Sequence, residues 1–523
     1  MIMAKILTAV LLMLFFAVMI GVGIYCRRHA TDVNGFVLGG RSVGPWLTAF
    51  AFGTSYFSAV IFVGYAGQFG WNFGLASTWI GLGNAFIGSL LAWNVLGRRT
   101  RVMTQHLDSK TMPDFFEKRY GSKALKIAAS IIVFIFLIPY TASLYNGLSS
   151  LFNIAFDIPY WVVIIVMAAL TGLYVVFGGY MATAINDFIQ GIIMLGGIVA
   201  VVAAVLMQNG GFSESINALS QIEAGTSLKG AFTSFFGPNP EFLLYVVVLT
   251  SLGTWGLPQM VGKFYSITNE AAIRKGTMIS TFFAIIVAGG CYFLGGFGRL
   301  FITEEKMGGK FDSIIPSMLE NLPDIIIAVV IVLVLAASMS TLSSLVLTSA
   351  STLTLDVIVP AVKKDMTEKK KLLTMRAFII FFITLSAVIA ILKDTIWSGV
   401  VFIAQMMGVS WGALAGAFLA PFLYGLYWKR TTKTAVWVSF IYGTGLMIAQ
   451  LCVSMGWLAF DGGILRYVFT NSLYSGVFAM IGGLVLVPVV SLLTPKSKAI
   501  DTETIFSCYK KDVTVRTTKS LGN

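Results

Sequence analysis

Histidine is nearly absent from this sequence: two in 523 residues, His29 and His106, both in polar stretches. Charged residues make up only 11% of the chain. Cysteine occurs four times, at Cys26, Cys291, Cys452 and Cys508, scattered and with no CxxC pair. Each shortage excludes something. Scattered cysteines give neither a metal site nor a disulfide framework. With no histidine and no paired carboxylates inside the apolar runs, an intramembrane enzyme lacks its nucleophile–base or metal constellation. A proton carrier lacks a titratable relay at depth for the same reason. Long polar stretches are missing too. The largest outer loop, 208–240, is a cap at most, and the tail after the last apolar run, 494–523, is too short for the cytoplasmic output domain that a solute sensor needs.

What the chain has is apolar surface. It is 57% hydrophobic with a mean hydropathy of +0.86, more than a soluble domain can bury, which indicates a membrane protein. An apolar run of about 18–25 residues spans a hydrocarbon core of roughly 30 Å. Thirteen such runs are predicted, near 3–26, 45–71, 74–97, 124–152, 158–178, 187–207, 240–261, 277–298, 323–358, 377–393, 398–427, 434–454 and 470–493. The expected class is an all-α polytopic protein of about 13 transmembrane helices. The first run, with Lys5 before it, Arg27 and Arg28 after it and no small-x-small site, reads as a retained helix and not a signal peptide.

The net charge of +13 suggests a nucleic-acid partner only until its distribution is examined. With alternate loops assigned to the cytoplasm, the inside set is 27–44, 98–126, 179–186, 262–276, 359–376, 428–433 and 494–523. These hold 29 of the 36 Lys and Arg. That asymmetry is the positive-inside pattern and expects a multi-pass cell-membrane protein, N-terminus outside and basic tail inside. The partners expected are lipid and a small solute, with no nucleic acid; no feature sets an oligomeric state. Within 97–123 a short amphipathic helix is expected to begin near Met112-Pro113.

Two spans carry breaks: "AFGTSYFSAVIFVG" (51–64), with Gly53, and "TSLGTWGLPQMVGKFYS" (250–266), with Gly253, Gly256 and Pro258. They are five spans apart, and an odd offset inverts orientation. Broken helices at matching positions of inverted halves point to a transporter binding site; the alternative is that the glycines allow close helix packing. The organisation expected is a first helix and loop (1–44), repeat 1 (45–207), an outer loop (208–239), repeat 2 (240–427), two further spans (428–493) and a tail (494–523).

The ninth span holds "SMSTLSS" (338–344), five hydroxyls in seven residues. At about 100° per residue, Ala337, Ser340 and Thr341 share one stripe, and Ser340, Ser343 and Ser344 the adjoining one. Back-bonding to carbonyls three or four residues earlier explains one or two such hydroxyls. A continuous oxygen face suits a small hard cation, with the unwound part of span 2 contributing carbonyls. An uncharged cage favours Na⁺ over H⁺. The one carboxylate poised near it is Asp187.

In order along the chain, "FVLGGRSVGPWLTAF" (36–50), "TMPDFFEKRYGS" (111–122), "FGGYMATAINDFIQGIIM" (177–194), "WGLPQMVGKF" (255–264) and "LAASMSTLSSLVLTSASTLTLDV" (335–357) resemble the sodium:solute symporters, most of all bacterial sodium/proline symporters. The resemblance implies a five-plus-five inverted repeat (LeuT-like) core and alternating access, with Na⁺ as coupling ion and no organic cofactor. It implies a sodium site from the carbonyls of Thr54, Phe57 and Ala337 and the hydroxyls of Ser340 and Thr341. A second site, present in some members, maps onto Asp187, Ser340, Ser343 and Ser344; for Asp187 the alternative is a salt bridge or helix cap. Tyr56 stands where proline carriers have aspartate, and Thr250 and Thr254 replace their aromatics, which speaks against proline itself, while "SYFSAV" (55–60) is similar to members that carry monocarboxylates. The solute expected is a small organic one, an amino acid such as proline or a small carboxylate. The expected pocket lining is Ser58, Tyr140, Asn146, Trp255, Gln259 and Gln405. A Na⁺-selective channel or a solute sensor on the same scaffold is the alternative.

Overall fold

Segments this apolar satisfy their backbone polar groups internally, and the chain does so almost wholly with helices. The computed structural model describes residues 2–156, 159–223, 229–320, 322–362, 366–396, 403–495 and 501–509. Among these the one β pairing is an isolated parallel bridge between Val43 and Ile267. The long helices are α1 (Ile2–Cys26), α2 (Pro45–Tyr56), α3 (Lys123–Phe156), α4 (Tyr160–Gln208), α5 (Pro240–Leu252), α6 (Pro258–Ser266), α7 (Glu270–Ala284), α8 (Asp324–Thr352), α9 (Glu368–Ile396), α10 (Ile403–Tyr427), α11 (Lys433–Ser454) and α12 (Ser472–Leu493). α8 lies at the centre, against α1, α2, α3, α4 and α9, while α10, α11 and α12 pack on one another.

Among the described residues ten helical runs are long and apolar enough to cross a membrane, or eleven if the bent pair α5–α6 counts as one span. Thirteen were expected. The difference lies largely in two continuous runs, Val60–His106 (47 residues) and Tyr160–Gln208 (49 residues), each covering parts of two predicted spans. A straight helix of 49 residues would measure about 73 Å, over twice a bilayer core. Each run contains a glycine with φ in the left-handed region, Gly74 (φ 61, ψ −139) and Gly179 (φ 55, ψ −144). A Cβ would meet the Phe232 carbonyl oxygen at 2.1 Å at Gly74 and that of Phe36 at 2.7 Å at Gly179. Only glycine fits both the dihedral and the approach.

The two expected breaks are present. α2 starts on Pro45 and ends where Phe57 turns extended (φ −84, ψ 117); the Ser58 carbonyl then accepts from Ile61 N and Phe62 N at 3.0 Å each, restarting the helix. α5 runs through a single 3-10 turn to Leu257, extended with φ −83 and ψ 120, and α6 restarts on Pro258. A residue before proline is pushed out of the α region, which sets this break locally. α5 and α6 bend by 42°. Gly53 is not the breaking residue: a Cβ there would lie 2.5 Å from the Phe283 ring, so it serves close packing. The short helix expected to begin near Met112-Pro113 is Met112–Tyr120, capped by Thr111, whose hydroxyl accepts from Asp114 N.

Candidate functional site

α8 places its hydroxyls by register, and the end of α2 supplies carbonyls because last-turn C=O groups lack partners along their own helix. Ser340 Oγ lies 3.1 Å from Thr54 O and 3.0 Å from Ala337 O. Thr341 Oγ1 lies 3.2 Å from Thr54 O, 3.4 Å from Phe57 O and 3.2 Å from Ala337 O. Thr54, Phe57, Ala337, Ser340 and Thr341 therefore converge, and all are buried. Two hydroxyl protons serve three carbonyl oxygens. This cluster holds more lone pairs than donors, which is the chemistry of a hard alkali cation.

The adjoining stripe differs. Ser343 donates back to Ser340 O (2.9 Å), as does Ser338, which lies outside both stripes, to Val334 O (2.8 Å); hydroxyls in apolar helices commonly do so. Asp187 is fully buried on α4, and Lys263 of α6 pairs with it, Nζ to Oδ2 3.6 Å. Lys263 Nζ also donates to Ser344 Oγ (2.9 Å), which shares a hydrogen bond with Ser55 Oγ (2.7 Å). Here the sequence reading is corrected. Lys263 belongs to no cytoplasmic loop; it is 3% exposed, inside the bundle. The available signal was one lysine and one aspartate, each alone in an otherwise uncharged segment. A second buried carboxylate, Asp356, also escaped notice; Thr111 Oγ1 donates to it at 2.6 Å.

The residues expected to line a solute pocket separate into groups. Ser58 and Tyr140 meet: the Tyr140 hydroxyl lies beside Ser58 and the Trp411 indole, and none of the three polar atoms completes a hydrogen bond. Tyr56, its hydroxyl likewise unpaired, packs on Trp411 with ring centroids 5.7 Å apart, and Tyr140 meets the same indole edge-on at 6.1 Å. Tyr56 as a pocket group and Trp411 were missed, since buried aromatics look alike in a sequence. Gln259, both amide atoms unpaired, lines a different cavity, of about 50 Å³, with Lys263, Ser344, Lys110 and Thr111. Trp255 is turned away, its indole N–H donating to Ile87 O (3.0 Å). Gln405 sits at the start of α10, where its carbonyl accepts from Ser472 Oγ (3.4 Å). The Asn146 side chain lies outside the described residues.

A central α8 facing a broken α2, with a carbonyl-rich cage between them, is the arrangement of an ion-handling membrane transporter. Residues 36–443 match the sodium:solute symporter family, and the chain belongs to that family. It is 28% identical over 506 residues to a sodium/proline symporter of Staphylococcus aureus, with 94% of each chain covered. It is 28% identical to sodium/proline symporter 2 of Staphylococcus saprophyticus (84% of this chain, 85% of the relative). An osmoregulated proline transporter of Bacillus subtilis is 25% identical (84% and 88%). In fold it is similar to a Na⁺-coupled sialic acid symporter, with TM-score 0.75, 17% identity and 94% and 99% of the chains covered. It is also similar to a nucleobase-cation-symport-1 transporter, with TM-score 0.51, 14% identity and 91% and 98% covered.

Proposed function

We propose that this protein is a secondary active transporter that couples Na⁺ entry to uptake of a small organic solute by alternating access. The observation that carries the proposal is the convergence of three backbone carbonyls and two hydroxyls at the α2 break. Na⁺ here is a co-substrate, bound by Thr54, Phe57, Ala337, Ser340 and Thr341. Binding would turn both hydroxyl protons outward and present five oxygens to the ion. Because Thr54 and Phe57 flank the break while the other ligands sit on α8, the bound ion ties the two elements together and favours one arrangement of the bundle.

The solute sits one residue further, against Ser58, Tyr140, Tyr56 and Trp411, whose unpaired polar atoms supply hydrogen bonds and whose rings supply apolar walls. Proline and other small amino acids fit such a lining, and relatives named as proline symporters support that class. The near-identical backbone at Phe57 and Leu257 supports an inverted repeat of 45–207 on 240–427. Reversal at Gly74 and Gly179 would restore thirteen spans. The basic loops support a cell-membrane orientation with the N-terminus outside.

One Na⁺ crossing about 100 mV supplies roughly 2.3 kcal/mol, and a tenfold gradient about 1.4 kcal/mol more. Together they sustain about 500-fold accumulation of a neutral solute. The test is uptake into proteoliposomes with an imposed Na⁺ gradient, screened over labelled amino acids, monocarboxylates and sugars. Na⁺-dependent uptake of one class is expected. Ion flux without any solute would make the protein a channel, and failure of every solute would overturn symport.

A further inference from the structure

The serine–aspartate face of α8 and α4 already receives a basic side chain, Lys263 of α6. Lys263 Nζ donates to Ser344 Oγ at 2.9 Å and stands 3.6 Å from Asp187 Oδ2. Its charge also lies over the Tyr180 ring, 5.3 Å from the centroid. Around it stand acceptors or weak dipoles, namely Ser344, Ser55, Tyr174 beside Asp187 and Ser343, Ser266 beside Tyr180, and the Gln259 amide, with Lys110 a second basic side chain lining the same cavity. Among the described residues Asp187 is the one carboxylate in this cluster; it is fully buried, neither oxygen has a hydrogen-bond partner, and a single positive charge balances it. An alkali ion on Asp187, Ser340, Ser343 and Ser344 would need the Ser344 oxygen that the ammonium uses. It would also place a second positive charge within a few ångströms of the first.

We propose that Lys263 is a tethered cation occupying the second ion position, so that the protein binds one Na⁺ per chain and is rendered specific for that stoichiometry by this side chain. The inference rests on the Na⁺ reading of the first site. The ammonium reaches that site by a short path: Ser344 hydrogen-bonds Ser55, and the neighbouring Thr54 carbonyl belongs to the first cage. α6 is thereby fastened to α4 and α8 by charge, where an exchangeable ion would let go at every cycle.

The experiment is equilibrium binding of ²²Na⁺ to the purified full chain, which needs no knowledge of the solute. Wild type is expected to bind one Na⁺. Lys263→Gln removes the charge and opens the position, so two Na⁺ should bind; Lys263→Gln combined with Asp187→Asn should return the number to one. Lys263→Arg, which keeps the charge, should stay at one. Two ions bound to wild type, or one ion bound to a folded Lys263→Gln, would overturn the proposal. If Lys263→Gln does not fold, wild type and Lys263→Arg still decide, since two ions on either sinks the idea. No Na⁺ bound to wild type would instead remove the Na⁺ site on which the proposal rests, an outcome distinct from two.

Discussion

Thr341 Oγ1 on α8 stands 3.2 Å from the carbonyl oxygen of Thr54, 287 residues away in sequence, and 3.4 Å from that of Phe57. A hydroxyl has one proton, so it cannot satisfy both carbonyls at once. The two hydroxyls carry fewer protons than the three carbonyls can accept, which is why the cluster is proposed to hold Na⁺. Ser340→Ala or Thr341→Ala is therefore expected to leave the protein folded and to weaken Na⁺ activation. Loss of one ligand oxygen amounts to about 1–3 kcal/mol, roughly 5–150-fold in apparent Na⁺ affinity. Solute affinity should recover at saturating Na⁺, because coupling between sites is reciprocal. Unchanged Na⁺ dependence in both variants would reduce these hydroxyls to back-bonding groups.

Tyr140 and Trp255 were grouped by the sequence and are separated by the structure. The Tyr140 hydroxyl is unpaired, whereas the Trp255 N–H is spent on Ile87 O. Tyr140→Phe should raise the solute KM by about 2–10-fold, the worth of one neutral hydrogen bond, with little change in thermal stability. Trp255→Phe should do the reverse, lowering the unfolding temperature with a near-normal KM. Uptake kinetics and thermal unfolding of the purified variants distinguish the two outcomes, and the opposite pattern would move Trp255 into the pocket.

Gly70 and Gly295 let two backbones touch. A Cβ on Gly70 would lie 2.0 Å from the Gly295 carbonyl oxygen, and one on Gly295 2.0 Å from that of Ala66. No rotamer relieves a clash with main chain. Gly70→Ala is expected to destabilise the fold by about 1–3 kcal/mol or more, read as a lower unfolding temperature in detergent; a wild-type value would show that the segment shifts freely.

Arg119 fastens the short helix Met112–Tyr120 to the end of α10. Its Nε donates to Gly425 O (2.9 Å) and its Nη2 to Trp428 O (3.0 Å), and the guanidinium stacks on Tyr120 and Phe506. Burial pulls its pKa below the usual arginine value. Lysine cannot reproduce this fork, so Arg119→Lys should cost about 1.5–3 kcal/mol, seen as lower yield and earlier thermal unfolding. A wild-type unfolding temperature would mean that the stacking alone holds the helix.

The stripe of oxygens on α8 was legible from the residues because the helix repeat places Ala337, Ser340 and Thr341 together without help from any other segment. The breaks were legible because Pro258 acts on the residue before it; the one in α2, at Phe57, was signalled only by a run of small and hydroxyl residues. The start of the short helix near Met112-Pro113 was legible for the same local reason, whereas its cap on Thr111 came from the structure.

Lys263 could not be placed that way. A lysine at the edge of an apolar run reads as topology, since hydropathy sees only neighbours in sequence, and its partner Asp187 lies 76 positions earlier on another helix. Whether a charge is buried depends on which helices meet, and that is a property of packing. The same holds for Trp411 and Tyr56 beside Tyr140, for Gln405 at the far end of α10, and for Trp255 bonded to Ile87. Composition, charge asymmetry and helical period by themselves determined that the chain spans a membrane, that it breaks in two places and that one helix carries an oxygen face. Which oxygens lack donors, and which side chain comes to lie beside the aspartate, was decided only when α2, α4, α6 and α8 came together, because hydrogen bonds and ion pairs act over a few ångströms.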